Sequence, residues 1–308
     1  MIDYLPIFYL VAFALLIYRL ARTEKASELF PLIPLLILGI IAAVYQGANP
    51  LLFFSIVVIF DTISLTYGSK EGFFLVLLGM TSIVLASVNL NINIVAQAML
   101  FGLISEFHQI KFNKNSKSNS EVETKRDIVQ IAIGSIILIL FYSLKTSYAE
   151  FSILMLIMLG YLTINYGAAN KGTKIAKYMK TLERNFTKFG QGAAWLALGA
   201  LATISFVLDT RYIMIIFFAI FIGDSLATII GIKFGKRKLP YNKKKSIAGS
   251  VAYFASVSVL PFLLYGIFAI PLAIVATVAE TLPIKLDDNF SVPAVLIIIY
   301  LLAEVLVF

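Results

Sequence analysis

Apolar segments long enough to cross a bilayer alternate with short polar segments from one end of the sequence to the other. A transmembrane helix needs about 17 to 25 predominantly apolar residues. The pattern predicts twelve spans, at residues 4–20, 30–46, 50–67, 72–90, 92–107, 128–144, 149–168, 191–208, 212–232, 247–266, 270–281 and 292–307. The segment 270–281 is short and also fits a half-helix. The first segment lacks the basic region and cleavage site of a signal peptide, so we expect it to be retained as a span.

Composition agrees with a membrane protein. The sequence has 308 residues, of which 60% are hydrophobic and 14% charged, and soluble domains have closer to a quarter charged residues. It contains no cysteine, which excludes disulfides and thiolate chemistry, and a single histidine, which excludes a metal site built from several histidines.

The basic residues are distributed by loop. All 25 Lys and Arg residues except Lys145 and Arg211 fall in alternate loops between the predicted spans. Basic loops face the cytoplasm, so this sorting predicts cytoplasmic lysine-rich loops and both termini on the non-cytoplasmic side. The sequence therefore predicts an all-α, polytopic integral membrane protein with about twelve transmembrane helices. Topology accounts for most of the net charge of +8, and we expect no nucleic-acid partner.

The most polar segment divides the chain. We predict an N-terminal five-helix membrane region at 1–110, a polar cytoplasmic linker at 111–127 and a C-terminal seven-helix catalytic region at 128–308. Two cytoplasmic loops of the last region, 233–246 and 281–291, carry the candidate chemistry. The segment 171–188 has apolar residues at helical spacing between lysines, which predicts an amphipathic helix on the anionic inner leaflet. Those apolar residues are Ile175, Tyr178, Met179 and Leu182.

Charged residues inside spans indicate function, because an unpaired charge is costly in hydrocarbon. Asp61 fits structural pairing and function equally well. Asp224 precedes Lys233 by about 13 Å of helix, so it is predicted to lie well below the cytoplasmic surface. One helix face carries it above a strip of small residues: Asp224, Ala227, Thr228, Gly231 and Gly235. Helix packing through small residues is the alternative explanation of the strip, but it does not explain the carboxylate.

The next loop is rich in cations. It contains Lys233, Lys236, Arg237, Lys238, Lys243, Lys244 and Lys245. Ser246 then begins a helix, whose free N–H groups suit phosphate, and Gly249 allows close approach one turn later. Taken alone, the lysines are explained by the general bias toward basic cytoplasmic loops. The Walker pattern is absent, so this is not a P-loop.

A second acidic element, ETLPIKLDDNFSVP, runs from Glu280 to Pro293. Its oxygen ligands, Glu280, Asp287, Asp288 and Asn289, are of the type that Mg²⁺ prefers. A solvated turn that caps the last helix is the alternative. The element is predicted on the same membrane side as the lysine loop, so acids and bases can converge on one site.

These motifs resemble those of the membrane-embedded dolichol kinase and phytol kinase family, which is related to the phosphatidate cytidylyltransferases. The stretch GDSLATIIGIKFGKRKL is similar to the family motif D-x-x-A-x-x-x-G-x-x-x-G-K. The stretch KKKSIAGS resembles K-S-x-E-G-S, with Ala248 where an acid is usual. The third piece, AETLPIKLDDNFSVP, resembles the kinases, whereas the cytidylyltransferases carry a His-containing signature there. This chain has no histidine after His108.

The resemblance implies a CTP-dependent kinase that phosphorylates a membrane isoprenoid alcohol, with dolichol or polyprenol as first choice and geranylgeraniol or phytol next. The layout of the acids predicts Mg²⁺ as cofactor and Asp224 and Asp288 as catalytic residues, either of which could accept the hydroxyl proton. The implied metal ligands are Asp224, Asp287, Asp288, Glu280 and Asn289. The implied CTP-binding residues are Gly231, Gly235, Lys236, Lys238, Lys244, Lys245, Ser246 and Gly249. The alternatives are a cytidylyltransferase that makes a CDP-activated lipid and, with no repeated pair of broken spans to support it, a transporter.

Overall fold

The computed structural model describes residues 9, 11–17, 49–66, 70–107, 120–182, 190–284 and 286–307. The described residues contain helices joined by turns and loops, with no strand beyond one isolated bridge between Lys238 and Ser246. The helices are α1 (Pro50–Leu65), α2 (Lys70–Asn89), α3 (Ile92–Phe107), α4 (Ser120–Ser143), α5 (Thr146–Ala169), α6 (Lys174–Leu182), α7 (Gln191–Phe206), α8 (Thr210–Phe217), α9 (Asp224–Phe234), α10 (Ile247–Tyr265), α11 (Ile270–Thr281) and α12 (Asp288–Val307). The predicted all-α class is confirmed for this part of the chain.

Among the described residues, five helical stretches are long and apolar enough to cross a membrane. They are Ser120–Ser143, Thr146–Ala169, Thr210–Phe234, Ile247–Tyr265 and Asp288–Val305. Shorter apolar helices occupy the other predicted spans from residue 50 onward, including the short segment Ile270–Thr281. The predicted spans 4–20 and 30–46 lie mostly outside the described residues. The count of twelve spans, their orientation and the sidedness of the termini stay predictions.

The segment predicted as a linker ends earlier than expected. Helix α4 begins at Ser120, so residues 120–127 form its first two turns. Lys125 lies 2.6 Å from Glu121, one turn away, and Arg126 lies 3.3 Å from Glu123. Pairs of opposite charge at this spacing, together with acids in the first turn, stabilise a helix. The polarity of these residues therefore reflects a charged helix start and not an irregular loop.

The described residues of Met1–Lys111 and Leu154–Met179 form one compact unit. Helix α1 packs closely on α3 at Gly102, which has no side chain. A Cβ atom at this position would lie only 2.7 Å from Cβ of Phe60. The rings of Phe53 and Phe101 meet edge to face at 6.1 Å. Asp61 is buried on α1 at this helix contact.

The described residues of Phe112–Ile153 and Lys180–Phe308 form the second unit, which contains the candidate site. Helices α8 and α9 are joined without a break by a π-helical segment, Phe218–Gly223. Helix α9 packs on α10, α10 on α11, and α12 on α7. A 3-10 turn, Gly266–Ala269, connects α10 to α11. This connectivity places the loop 235–246 at the same end of the unit as the α11–α12 turn.

The predicted amphipathic helix is present as α6, although it is shorter than the predicted segment. Ile175 and Tyr178 on this helix are exposed, while Ala176 is buried. Lys174, Lys177 and Lys180 follow along the same helix. Its placement on the inner leaflet stays a prediction.

Candidate functional site

Asp224 stands where the π-helical segment returns to α-helix. Its backbone N–H donates to the carbonyl of Ala219, five residues earlier, as in a π-helix. Single π-turns inside α-helices are often found at functional sites. The extra residue turns the following helix by about 100° relative to an uninterrupted α-helix. The π-segment thus sets the direction of Asp224, whose side chain is buried.

Three glycines allow α9 and α10 to approach closely near Ser246. A Cβ atom on Gly231 would lie 3.1 Å from the Ser246 hydroxyl, and one on Gly249 would lie 2.8 Å from the Ala227 carbonyl. A Cβ on Gly235 would lie 2.7 Å from Cβ of Ser246. The Ser246 hydroxyl accepts from the Gly249 N–H at 3.1 Å and caps α10. These contacts have the geometry expected of small-residue packing, and nucleotide binding by the same residues stays a prediction.

The loop 235–246 is anchored to the end of α11. Asn242 donates to the Thr281 carbonyl at 2.9 Å, and Tyr241 donates to the Thr281 hydroxyl at 3.0 Å. The Lys245 N–H donates to the Asn242 carbonyl at 3.1 Å. The anchored loop directs the Lys245 side chain toward the carboxylates of α11 and α12.

The central feature of the site is a group of three carboxylates around one ammonium. One oxygen each of Asp224, Glu280 and Asp288 lie within 4.8 Å of one another. The Lys245 Nζ donates to Glu280 Oε1 at 2.5 Å and also to Asp288 Oδ2. The Lys245 side chain is 24% exposed and that of Glu280 only 2%. We call these four residues the carboxylate–lysine cluster.

The charge state of Lys245 follows from its neighbours. Burial lowers the pKa of the Lys245 ammonium, but the carboxylates of Asp288 and Glu280 outweigh burial and raise the pKa well above its usual range. Lys245 therefore stays charged at neutral pH and compensates part of the negative charge of the cluster.

The predicted ligands of the α11–α12 turn separate into two groups. Asp288 joins the carboxylate–lysine cluster, whereas Asp287 caps α12, where its Oδ1 accepts from the Asn289 N–H at 3.1 Å. Asn289 also donates from its side chain to Asp287 at 2.8 Å. Gly199 on α7 lies against the first turns of α12. A Cβ atom on Gly199 would lie 3.2 Å from Cγ of Pro293. Metal ligation by Asp287 and Asn289 stays a prediction.

Sequence reasoning missed the contribution of α4. Gln130 is buried, and its side-chain N–H group donates to the Ile220 carbonyl of the π-segment at 2.7 Å and to Asn289 Oδ1 at 3.3 Å. Asp127, one turn earlier on α4, is buried and interacts electrostatically with Asp224. Asp127 and Gln130 lie at the start of an apolar run, where polar residues are common. No local feature of the sequence therefore marks them as site residues.

The remaining predicted phosphate-binding residues lie on the surface of the loop. Lys236, Lys238 and Lys244 are all exposed. They lie in the same anchored loop as Lys245 but outside the cluster. Three cationic side chains are therefore exposed at the loop end of the site.

The cluster fits a hard divalent cation. Its donors are carboxylate oxygens from three separate helices, which is the ligand type of Mg²⁺. Glu280 Oε2 is buried and has no hydrogen-bond partner among the described residues. A buried carboxylate oxygen without a donor is costly, and a cation would satisfy it. Asp224, Glu280 and Asp288 are the residues that would hold the ion.

Comparison with known proteins gives partial matches. An uncharacterized protein of Methanocaldococcus jannaschii is 35% identical over 106 residues, which are 34% of this chain and 54% of that protein. The chloroplastic phytol kinase 1 of Arabidopsis thaliana is 42% identical over 89 residues, covering 23% of this chain and 29% of the kinase. The probable chloroplastic phytol kinase of Triticum aestivum is 38% identical over 99 residues, covering 26% of this chain and 33% of the relative.

The matched region thus spans about half the length of the archaeal relative and about a third of each plant kinase. No family model and no solved structure matches the chain.

Proposed function

We propose that this protein is a membrane-embedded kinase that transfers the γ-phosphate of a Mg²⁺-bound nucleoside triphosphate to an isoprenoid alcohol. The observation that carries the proposal is the carboxylate–lysine cluster. It brings together residues of three helices, α9, α11 and α12, and Lys245 of the loop before α10. Carboxylates that hold Mg²⁺ beside a cation are the parts that phosphoryl transfer requires. The partial matches to phytol kinases support the same reaction class.

The surroundings of the cluster suit one apolar and one anionic substrate. Helices α10 and α12 expose large apolar side chains such as Val251, Phe262 and Ile298, which suits contact with lipid. The loop with Lys236, Lys238 and Lys244 exposes cations, which suits a triphosphate. An isoprenoid alcohol reaches the cluster from the bilayer, and the nucleotide reaches it from the loop side, which we place in the cytoplasm.

The chemistry is an in-line displacement. The alcohol oxygen attacks the γ-phosphorus, the bond from that phosphorus to the β–γ bridging oxygen breaks, and the nucleoside diphosphate leaves. The hydroxyl proton passes to a carboxylate, for which Asp224 and Asp288 are the candidates. Lys245 offsets negative charge that develops on the phosphoryl oxygens. Bound Mg²⁺ would supply charge neutralisation of the phosphates.

The identities of the donor and the acceptor are finer proposals. CTP as donor rests on the resemblance to the kinase family alone. Dolichol or polyprenol is the acceptor favoured by that resemblance. The phytol kinase matches favour phytol as well. Dolichol, phytol and geranylgeraniol therefore belong in the first assay.

Labelled nucleotides test the reaction type. Purified protein in liposomes receives Mg²⁺, one alcohol and CTP labelled at either the γ- or the α-phosphate. A kinase transfers only the γ-label to the lipid. Transfer of the α-label to a phospholipid precursor would establish a cytidylyltransferase instead, and uptake of solute without CTP consumption would establish a transporter.

A matched pair of variants tests the site. Asp224→Asn should abolish transfer while the protein remains folded. Asp209→Asn is the control, because Asp209 lies about 22 Å away along the helix at 1.5 Å per residue. Asp209 caps α8 and accepts from Tyr265 at 2.7 Å, outside the cluster. Near-normal activity of Asp224→Asn would show that the cluster is not the catalytic site.

A further inference from the structure

Tyr253 is a fully buried residue whose hydroxyl has no assigned role. It lies on α10, is 0% exposed, and is among the largest fully buried side chains of the described residues. Its hydroxyl has no hydrogen-bond partner among those residues. Buried tyrosine hydroxyls usually find a partner, and one without a partner costs stability. A polar group kept at such a cost indicates that a ligand supplies the partner.

The position of Tyr253 connects it to the carboxylate–lysine cluster. A Cβ atom on Gly223 would lie 3.2 Å from Cε2 of Tyr253, so the ring lies against the backbone of the residue before Asp224. The Tyr253 hydroxyl interacts electrostatically with Asp224 and Glu280. The unpartnered hydroxyl therefore belongs to a ring that packs beside the residue preceding Asp224.

The depth of Tyr253 distinguishes the two substrates. Tyr253 follows Ser246 by seven residues, which is two helical turns on the same face of α10 and about 10 Å farther from the loop. The exposed lysines, which suit phosphate, are all at the loop end. A neutral donor that lies farther from the loop than these lysines suits the hydroxyl of a lipid better than a triphosphate.

We propose that Tyr253 is a substrate-binding residue whose hydroxyl donates a hydrogen bond to the oxygen of the acceptor alcohol. This bond holds the nucleophilic oxygen beside Asp224, and the apolar remainder of the alcohol extends into the bilayer. The proposal rests on the proposed function and adds to it the group that recognises the acceptor.

Tyr253→Phe tests the proposal, because it removes one oxygen and keeps the ring against Gly223. With geranylgeraniol as acceptor, kcat/KM for the alcohol should fall roughly three- to tenfold, the value of one hydrogen bond. The KM for CTP should stay unchanged. The ligand-free variant should unfold at the same or a higher temperature than the wild type, because the substitution removes an unpartnered buried hydroxyl.

Tyr212→Phe is the matched control. The Tyr212 hydroxyl donates to the Leu296 carbonyl at 2.9 Å, away from the cluster. Its loss should lower the unfolding temperature and leave the kinetics of the folded protein unchanged. The two variants therefore have opposite signatures in stability and in activity.

Each outcome decides the proposal. Unchanged alcohol kinetics in Tyr253→Phe, or a change confined to the KM for CTP, would overturn it. If the wild type phosphorylates no alcohol, the proposed function fails, and binding becomes the measurement. Geranylgeraniol alone, without nucleotide, should then raise the unfolding temperature of the wild type more than that of Tyr253→Phe. An equal shift in both proteins, or no shift in either, would overturn the role of Tyr253 in alcohol binding.

Discussion

Replacing Lys245 with methionine removes the only cation in direct contact with two carboxylates of the cluster among the described residues. Methionine keeps much of the length of the side chain, so the substitution tests charge more than packing. We expect Lys245→Met to lower the stability of the second unit at neutral pH. The expected cause is repulsion and desolvation of carboxylates that have lost their partner.

The magnitude follows from burial. The Glu280 side chain is 2% exposed, and breaking a buried ion pair by removing one partner costs about 3–5 kcal/mol. The Asp288 side chain is 35% exposed, so its share is at most about 1 kcal/mol. One oxygen of each carboxylate of the cluster lies within 4.8 Å of the others, so repulsion among them adds to this loss when the Lys245 charge is removed. For a domain of this size, a loss of about 3 kcal/mol lowers the unfolding temperature by about 6–12 °C.

The single tryptophan provides the assay. Trp195 lies on α7 with its ring 6.0 Å from that of Phe290, next to the α12 start that carries Asp288. Its fluorescence should report unfolding of the second unit in detergent. Lys243→Met is the control, because Lys243 is exposed in the same loop and lies outside the cluster.

Two further measurements sharpen the test. Mg²⁺ should restore part of the stability of Lys245→Met, because a divalent cation replaces the missing positive charge. Adding Glu280→Gln should also restore part of it, since the buried carboxylate is then neutral. Equal unfolding temperatures of Lys245→Met and Lys243→Met, with no effect of Mg²⁺, would refute the charge argument.

Three other predictions follow from the same site. Gln130→Leu removes the donor to two acceptors, the Ile220 carbonyl and Asn289 Oδ1. It should lower the free energy of unfolding by about 1–3 kcal/mol and also lower kcat. Gly199→Ala should strongly destabilise the protein, since its Cβ would collide with the Asn289 carbonyl. Gly192→Ala, with its nearest neighbour 3.9 Å away, should be neutral or stabilising by up to about 1 kcal/mol. The stability that the raised pKa of Lys245 contributes should be present at neutral pH and be lost as the pH rises above about 10.4, as followed by Trp fluorescence.

The sequence by itself determined the helical elements of the described chain. The predicted spans from residue 50 onward each correspond to a helix, because apolar runs of sufficient length are a local property that needs no tertiary information. It also identified Asp224, Glu280, Asp288 and Lys245 as candidate site residues. A charged residue in or beside an apolar run can be recognised from the neighbouring residues of the sequence alone. The sequence did not show that α4 begins at Ser120, ahead of the predicted span at 128–144, because charged pairs one turn apart have the composition of a linker.

The tertiary structure alone decided how the candidates are arranged. Lys245 meets Glu280 and Asp288 across 35 and 43 residues of chain, and Gln130 reaches Asn289 across 159. The sequence also held no sign of the π-segment that turns Asp224, or of the unpartnered hydroxyl of Tyr253, whose ring lies against Gly223. The physical reason is that element type follows from local hydrophobicity. The partner of a buried polar group is set by helix packing, which depends on side chains far apart in the sequence.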